Sequence, residues 1–310
     1  MASVRTPVWL VTGYLGAGKT TLLARWLGEP ALSTAALVVN EIGEVGLDDV
    51  LLARAVDSAA LIGNACICCT GLPGLEAALA DLWWGRLYRS RPAFDSVVIE
   101  TTGLADPGPV TDAFRTNDFL RERYVLAGVV VMVSVTTPWG VLAALPQALS
   151  QVRHADLVVL TKVDRADPLP MQVSLSAALP QVPVALSAQA SLEWTQVQAL
   201  MKSRERIAAA PSDMARAPVQ APDTGVAHEG HGHHHHGARS RFVSCPTGMD
   251  RDGLTHWASL QRAAGLQRLK GVLQSADGRL FMAQWALGDE AVSLVGFEGP
   301  APRLGLTCIA

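Results

Sequence analysis

A chain of 310 residues with 49% hydrophobic and 17% charged content has apolar material for one large domain and a smaller one, which excludes a disordered or collagen-like polymer. A net charge of −3 and a pI near 6.2 give no global attraction for nucleic acid or anionic membranes, so neither is expected as a partner. No apolar run approaches the roughly 20 residues that span a bilayer, and five cysteines, odd in number and mostly clustered, fit a reducing compartment, so the expected location is cytoplasmic.

The first predicted strand is VWLVT at 8–12. Its apolar lead-in has the look of a signal-peptide core, but it runs straight into glycines and Lys19 with no export-type cleavage pattern. It ends in GYLGAGKTT, which satisfies G-x-x-x-x-G-K-[ST] between a strand and the predicted helix KTTLLARWL. In such a loop the backbone of Gly13, Gly16, Ala17 and Gly18 curls so that N–H groups face phosphate oxygens, and the helix adds its positive N-terminal end. Lys19 is expected to reach the β- and γ-phosphates, Thr20 to ligate Mg²⁺, and Thr21 to complete the nucleotide-binding set. The alternative is a chance glycine-rich turn.

After a second strand, LVVN at 37–40, GNACICCTG sets Cys66, Cys68 and Cys69 within four residues. A disulfide between such neighbours is strained. Thiolates instead suit a soft or borderline ion such as Zn²⁺, and three ligands leave a position open for release. Small buried hydrophobes are the bland alternative, but those scatter rather than cluster. GLEAALADLWW then reads as a helix whose Trp83 and Trp84 pack against the sheet. The third strand, SVVIE at 96–100, leads into TTGLADP, where Glu100 is a candidate for the Mg²⁺ site and the Gly103 N–H for the γ-phosphate.

Strands at 128–135, 156–161 and 182–187 follow. TKVD at 161–164 resembles a guanine-reading N-K-x-D: Asp164 would accept from N1–H and the 2-amino group, which adenine lacks, and Lys162 would lie along the base. Thr161 stands where Asn is usual, which weakens one contact to the base. LSA at 186–188, with Ser187, is a candidate clasp on the base loop. Strands apolar on both faces, alternating with helices, define an α/β, doubly wound domain over 1–207. Proline, glycine and histidine then dominate, so 208–240 reads as a flexible His-rich linker. Within it HEGHGHHHHG carries six of the eight histidines: His228, His231, His233, His234, His235 and His236, a tract suited to loose metal collection. A small α+β domain is expected over 241–310. His154 and His256 read as packing or surface residues, and Cys245 and Cys308 as structural.

Taken in order, GYLGAGKTT, NEIGEVGLD at 40–48, CICC, ETTGLADP and TKVD, with a histidine-rich linker and a small C-terminal part, resemble the CobW family of P-loop GTPase metallochaperones. The resemblance implies a GTPase with GTP and Mg²⁺ as cofactors and Zn²⁺ or Co²⁺ as cargo, a client metalloprotein as partner and a homo-oligomer as one possible assembly. It makes 40–48 a switch segment and Glu41 a second catalytic candidate beside Lys19, near Mg²⁺ or the attacking water; Glu41 and Glu44 read equally well as a solvated acidic turn. Ala65 replaces the glycine usual before the cysteine motif, and the C-terminal part is shorter than usual for the family. No arginine finger or water-positioning glutamine is assigned, so slow basal turnover is expected. Two other readings stand beside this one: a storage or sensing protein that binds ions through its histidines without nucleotide dependence, and a P-loop kinase or ATPase with structural zinc.

Overall fold

Six runs of mostly β-branched and aliphatic residues form strands β1 (Thr6–Thr12), β2 (Ala35–Val39), β3 (Ser96–Glu100), β4 (Tyr124–Ser134), β5 (Leu157–Thr161) and β6 (Val184–Ser187). They pair in parallel, in the order β2-β3-β1-β4-β5-β6. Every residue of β3 and β5 is buried, as a sheet covered on both faces requires. The structure, a computed structural model, describes residues 5–39, 72–208, 240–262, 265–298 and 303–310. By their contacts the residues divide into two units, Met1–Arg204 with Ala286–Asp289, and Glu205–Trp285 with Glu290–Ala310.

Helix α1 (Lys19–Leu27) coincides with KTTLLARWL and buries Lys19, Leu22, Leu23, Trp26 and Leu27, one helical stripe. That stripe packs with Val11 of β1, Val130 and Met132 of β4, and Leu157 and Val159 of β5. Trp26 is its largest member: it is fully buried, its indole N–H donates to the Leu192 carbonyl at 2.8 Å, and its ring lies 5.1 Å from that of Trp194. Trp194 in turn meets Trp9 of β1 edge-on at 5.1 Å. Removing this anchor leaves a cavity beneath the helix that carries the phosphate loop. Trp26→Ala is expected to cost about 3–5 kcal/mol in urea unfolding, whereas Trp26→Phe, which mainly strands the Leu192 carbonyl, should cost about 1–3 kcal/mol. Equal losses in the two variants would contradict the packing argument.

Helix α2 (Leu72–Leu87) buries Leu75, Leu79 and Leu82. Trp83 stacks edge-on against Tyr124 of β4 at 5.9 Å, as expected of a residue on the sheet side. Trp84 departs from the expectation: it is 41% exposed and stacks on Tyr88. Successive helical residues point about 100° apart, so the two tryptophans cannot share one narrow apolar face. Further helices are α3 (Pro107–Thr116), α4 (Asp118–Arg123), α5 (Trp139–Ala143), α6 (Pro146–Arg153), α7 (Leu169–Ala178) and α8 (Trp194–Ala208). β4 begins four residues before the expected strand because Tyr124–Leu126 pair with Thr6–Val8 of β1, across a register shift between Val8 and Trp9.

In the second unit β7 (Ser240–Ser244), β8 (Arg268–Gln274), β9 (Leu280–Ala286), β10 (Ser293–Gly296) and β11 (Gly305–Ile309) form a sheet in the order β10-β9-β8-β11-β7. β11 pairs antiparallel with both β7 and β8, and β10 pairs antiparallel with β9. Helix α9 (Arg251–Leu260) is capped by the Asp250 carboxylate, which accepts from the Gly253 N–H, and buries Leu254 and Ala258 against Leu269, Phe281 and Leu306. Cys308 lies in this core, where burial pushes its thiol pKa up; Cys245 accepts from the Gln274 N–H at 3.4 Å. Both fit the structural role expected of them. His154 and His256 are exposed.

Candidate functional site

A parallel sheet whose order reverses around β1 leaves a crevice at the carboxyl ends of its strands, where ligands of such folds bind. Among the described residues, the phosphate loop, Glu100 and the TKVD segment meet there. β1 ends at Thr12 and the chain turns through Gly13, whose φ of 144° and a hypothetical Cβ 2.2 Å from the Met132 carbonyl oxygen exclude any other residue without a shift of β4. Gly16 and Gly18 are left-handed as well, at φ 74° and 82°, and the Ala17 N–H closes the turn on the Tyr14 carbonyl at 3.1 Å. Gly18 is the N-cap of α1 and supplies no side-chain bond, and the first turn holds no acidic residue. The positive end of the helix is therefore presented by backbone alone, the arrangement that favours a bound anion.

Lys19 is buried, with its ammonium donating to the Gly13 carbonyl at 2.8 Å and the Tyr14 carbonyl at 3.3 Å. It thus holds a cation inside the curl of the loop. Burial pushes the Tyr14 hydroxyl up to about 12, so it stays protonated at neutral pH. Thr20 Oγ1 donates to Glu100 Oε1 at 2.8 Å, across 80 residues of sequence. Glu100 is buried at the end of β3, and its neighbour Thr101 ties back to β1 through Thr12 Oγ1 at 2.7 Å. A buried carboxylate facing a threonine hydroxyl is the oxygen donor set a Mg²⁺ ion accepts, directly or through water. Gly103 packs on the phosphate loop: a Cβ there would meet the Leu15 backbone at 2.8–2.9 Å.

On the other side of β1, Thr161 ends β5 with its hydroxyl donating to the Ala17 carbonyl at 2.8 Å. The threonine thus ties the TKVD segment to the phosphate loop. Lys162 takes a left-handed φ of 59° and, within this unit, pairs with Asp289 at 2.7 Å. Asp164 is exposed, and its Oδ1 accepts from the Gln189 N–H at 3.1 Å. Ser187 is buried and accepts from the Leu192 N–H at 3.4 Å, so the backbone at Gln189 and not the Ser187 hydroxyl holds Asp164. Thr21 is exposed on α1.

Glu41, Cys66, Cys68, Cys69 and the histidines His231, His233, His234, His235 and His236 lie outside the described residues. Among the described residues no group of three or more His, Cys, Asp or Glu is placed to hold a metal ion. Sequence reasoning also passed over Gln151, which is buried in α6 and donates to the Gly103 and Ala105 carbonyls at 3.1 and 3.0 Å. A glutamine inside the apolar stripe Ala148, Gln151, Val152 was the available signal.

A phosphate loop after the first strand of a parallel sheet, with a lysine in its curl and a carboxylate at the next strand's end, defines a P-loop nucleotide-binding domain. Residues 7–183, more than half of the chain, match the model of the CobW/HypB/UreG nucleotide-binding domain, and the chain belongs to that family. The zinc chaperone YjiA of Escherichia coli is 42% identical over 159 residues, which cover 51% of this chain and 50% of that protein. The zinc-regulated GTPase metalloprotein activator 1 of Schizosaccharomyces pombe is 32% identical over 169 residues, covering 51% of this chain and 39% of its own. The chain thus spans half or less of the length of these curated relatives. The crystal structure of Zn(II)-bound YjiA GTPase from E. coli superposes with a TM-score of 0.50 at 27% identity, covering 98% of this chain and 93% of the other.

Proposed function

We propose that the protein is a GTPase that carries a transition metal, zinc foremost and cobalt next, to a client protein and couples delivery to hydrolysis. The observation that carries the nucleotide half is the 2.8 Å bond between Thr20 Oγ1 and Glu100 Oε1, made in the first turn of α1, whose start has no side-chain cap and whose Lys19 ammonium bonds back to the loop. When bound, Mg²⁺ would be held by Thr20 and Glu100 and would neutralise charge between the β- and γ-phosphates. Lys19 supplies a fixed cation to the same oxygens, and Asp164, steadied by the Gln189 N–H, reads guanine. The names of the E. coli and S. pombe relatives, a zinc chaperone and a zinc-regulated GTPase, support the metal half. Cys66, Cys68 and Cys69 are the ligands we assign to the cargo, with His231 and His233–His236 as a loose collector. No helix among the described residues is long and apolar enough to cross a membrane.

Carriage requires that the metal bind with different strength in the GTP and GDP states, a coupling of about 1–3 kcal/mol or roughly 5–150-fold. Titrating Zn²⁺ and Co²⁺ against a chromophoric chelator should give tighter binding with a non-hydrolysable GTP analogue than with Mg²⁺–GDP. Changing all three cysteines to serine should remove the tight, nucleotide-dependent component. Because thiolates bind only after losing protons, uptake should weaken as pH falls. Equal metal affinity with either nucleotide removes the driving force and rules the cycle out. Tight binding that instead disappears on deleting 228–236 would assign a storage role.

A further inference from the structure

Gln151 is 1% exposed, and both hydrogens of its side-chain amide are used on one loop, the segment that follows β3. Its Nε2 donates to Gly103 at 3.1 Å and to Ala105 at 3.0 Å, so the peptide planes after those two residues are fixed from α6. The partners also fix the amide's orientation, since a flipped side chain would set its oxygen against two carbonyl oxygens. Oε1 is buried with no hydrogen-bond partner among the described residues. A sequence position that only filled space would hold an aliphatic residue there at lower cost, because a buried amide oxygen without a partner is unfavourable.

The clamped loop occupies a particular place. It starts at Glu100, whose carboxylate meets Thr20, and at Gly103 it packs on Leu15 of the phosphate loop with no room for a side chain. One residue earlier on the same helix, Ser150 Oγ donates to Asp106 Oδ1 at 2.8 Å, and that oxygen also accepts the Gly108 N–H at 2.9 Å at the start of α3. Helix α6 therefore grips the segment 103–108 at three backbone or capping points. A loop held against the phosphate loop on one side and against a helix on the other has its position set by both.

We propose that Gln151 is a positioning residue for GTP hydrolysis: through the Gly103 and Ala105 carbonyls it holds the 103–105 loop in the arrangement that distinguishes a third phosphate. It rests on the reading of the crevice as a GTP site. Gln151 acts through the loop, by its bonds to the Gly103 and Ala105 carbonyls, so its loss should act on the triphosphate state and spare the diphosphate state, which lacks the phosphate assigned to the Gly103 N–H.

The test compares the full-length wild type with Gln151→Leu and Gln151→Glu, measuring binding of Mg²⁺–GDP and of a non-hydrolysable GTP analogue together with steady-state hydrolysis. The leucine variant keeps the volume but donates nothing. It should bind GDP as the wild type does, lose roughly tenfold in affinity for the analogue, and lose kcat by at least as much. The glutamate variant adds a readout that packing alone would not move. As a carboxylate it faces two carbonyl oxygens with no donor, whereas the protonated acid can donate to one of them. Its kcat, divided by that of the wild type at each pH, should therefore rise as pH falls from 8 to 6. His154 and Asp106 face the same loop, and the division by wild type removes their contribution. Equal losses for GDP and analogue, or an unchanged analogue-to-GDP ratio in both variants, would overturn the proposal. A wild type that binds neither nucleotide would instead overturn the reading of the site itself.

Discussion

Replacing Lys19 with alanine should reduce GTP hydrolysis by roughly 10³-fold or more and abolish the thermal stabilisation that GTP gives the wild type. Removing a single neutral donor from an anionic transition state already costs 10²–10³-fold, and Lys19 contributes a full charge from a position 8% exposed. Its ammonium donates to the Gly13 and Tyr14 carbonyls. Their loss also costs the ligand-free protein about 1–2 kcal/mol, so the variant must be judged by its nucleotide-induced shift and not by its melting temperature alone. Ligand at about 100 times its Kd adds roughly 2.7 kcal/mol to a protein that binds it, and Lys19→Ala should show none of this. Lys19→Arg should not rescue, because a planar guanidinium does not fit the space of a buried ammonium. A Lys19→Ala protein that retains both the shift and the rate would show that the crevice is not a nucleotide site.

The parts of this site legible in the sequence are those whose chemistry is local. GYLGAGKTT specifies a glycine turn between a strand and a helix, and both are as expected; that position 13 admits glycine alone and that the helix starts without a side-chain cap came from the structure. Glu100 could be placed because a carboxylate at the end of an apolar strand in a parallel sheet has few other positions open to it. Thr161 was less legible. By comparison with asparagine it reads as a lost contact to the base, yet its hydroxyl makes a bond to Ala17 that spans two non-adjacent strands, which no local pattern encodes. Gln151 was missed for the same reason, since its partners lie 46 and 48 residues away and its neighbours in the stripe are ordinary core residues. Trp84 was misplaced because composition reveals that a tryptophan is present but not which side of the helix it is on. The cysteine and histidine ligands lie outside the described residues, so their assignment still stands on the sequence pattern alone.

The sheet order explains why such distant segments meet. Placing β3 and β4 on either side of β1 brings the Glu100 end next to the phosphate loop, and β5 then delivers TKVD on the opposite flank. The TKVD segment and the phosphate loop are joined directly by the bond from Thr161 to Ala17.

Asp164→Asn tests the base-reading half, and its expected effect is the larger change in specificity. In the wild type one carboxylate oxygen accepts the Gln189 N–H at 3.1 Å, which leaves the other free of that bond to accept from guanine. Asparagine retains a carbonyl that can accept from Gln189, so the loop should stay in place, but its amide nitrogen presents donors to the N1–H and 2-amino donors of guanine. A site built around hydrogen bonds rejects a partner that leaves them unmade by as much as 10⁴–10⁵-fold; a single exposed contact lies below that ceiling, and a loss of roughly 10²-fold or more in GTP affinity is expected. ATP binding should hardly change. Xanthosine triphosphate, which carries an oxygen in place of the 2-amino group, should gain affinity because that oxygen accepts from the new amide. If Asp164→Asn leaves the ratio of GTP to ATP affinity as it was, Asp164 does not read the base, and the P-loop ATPase reading becomes the stronger one.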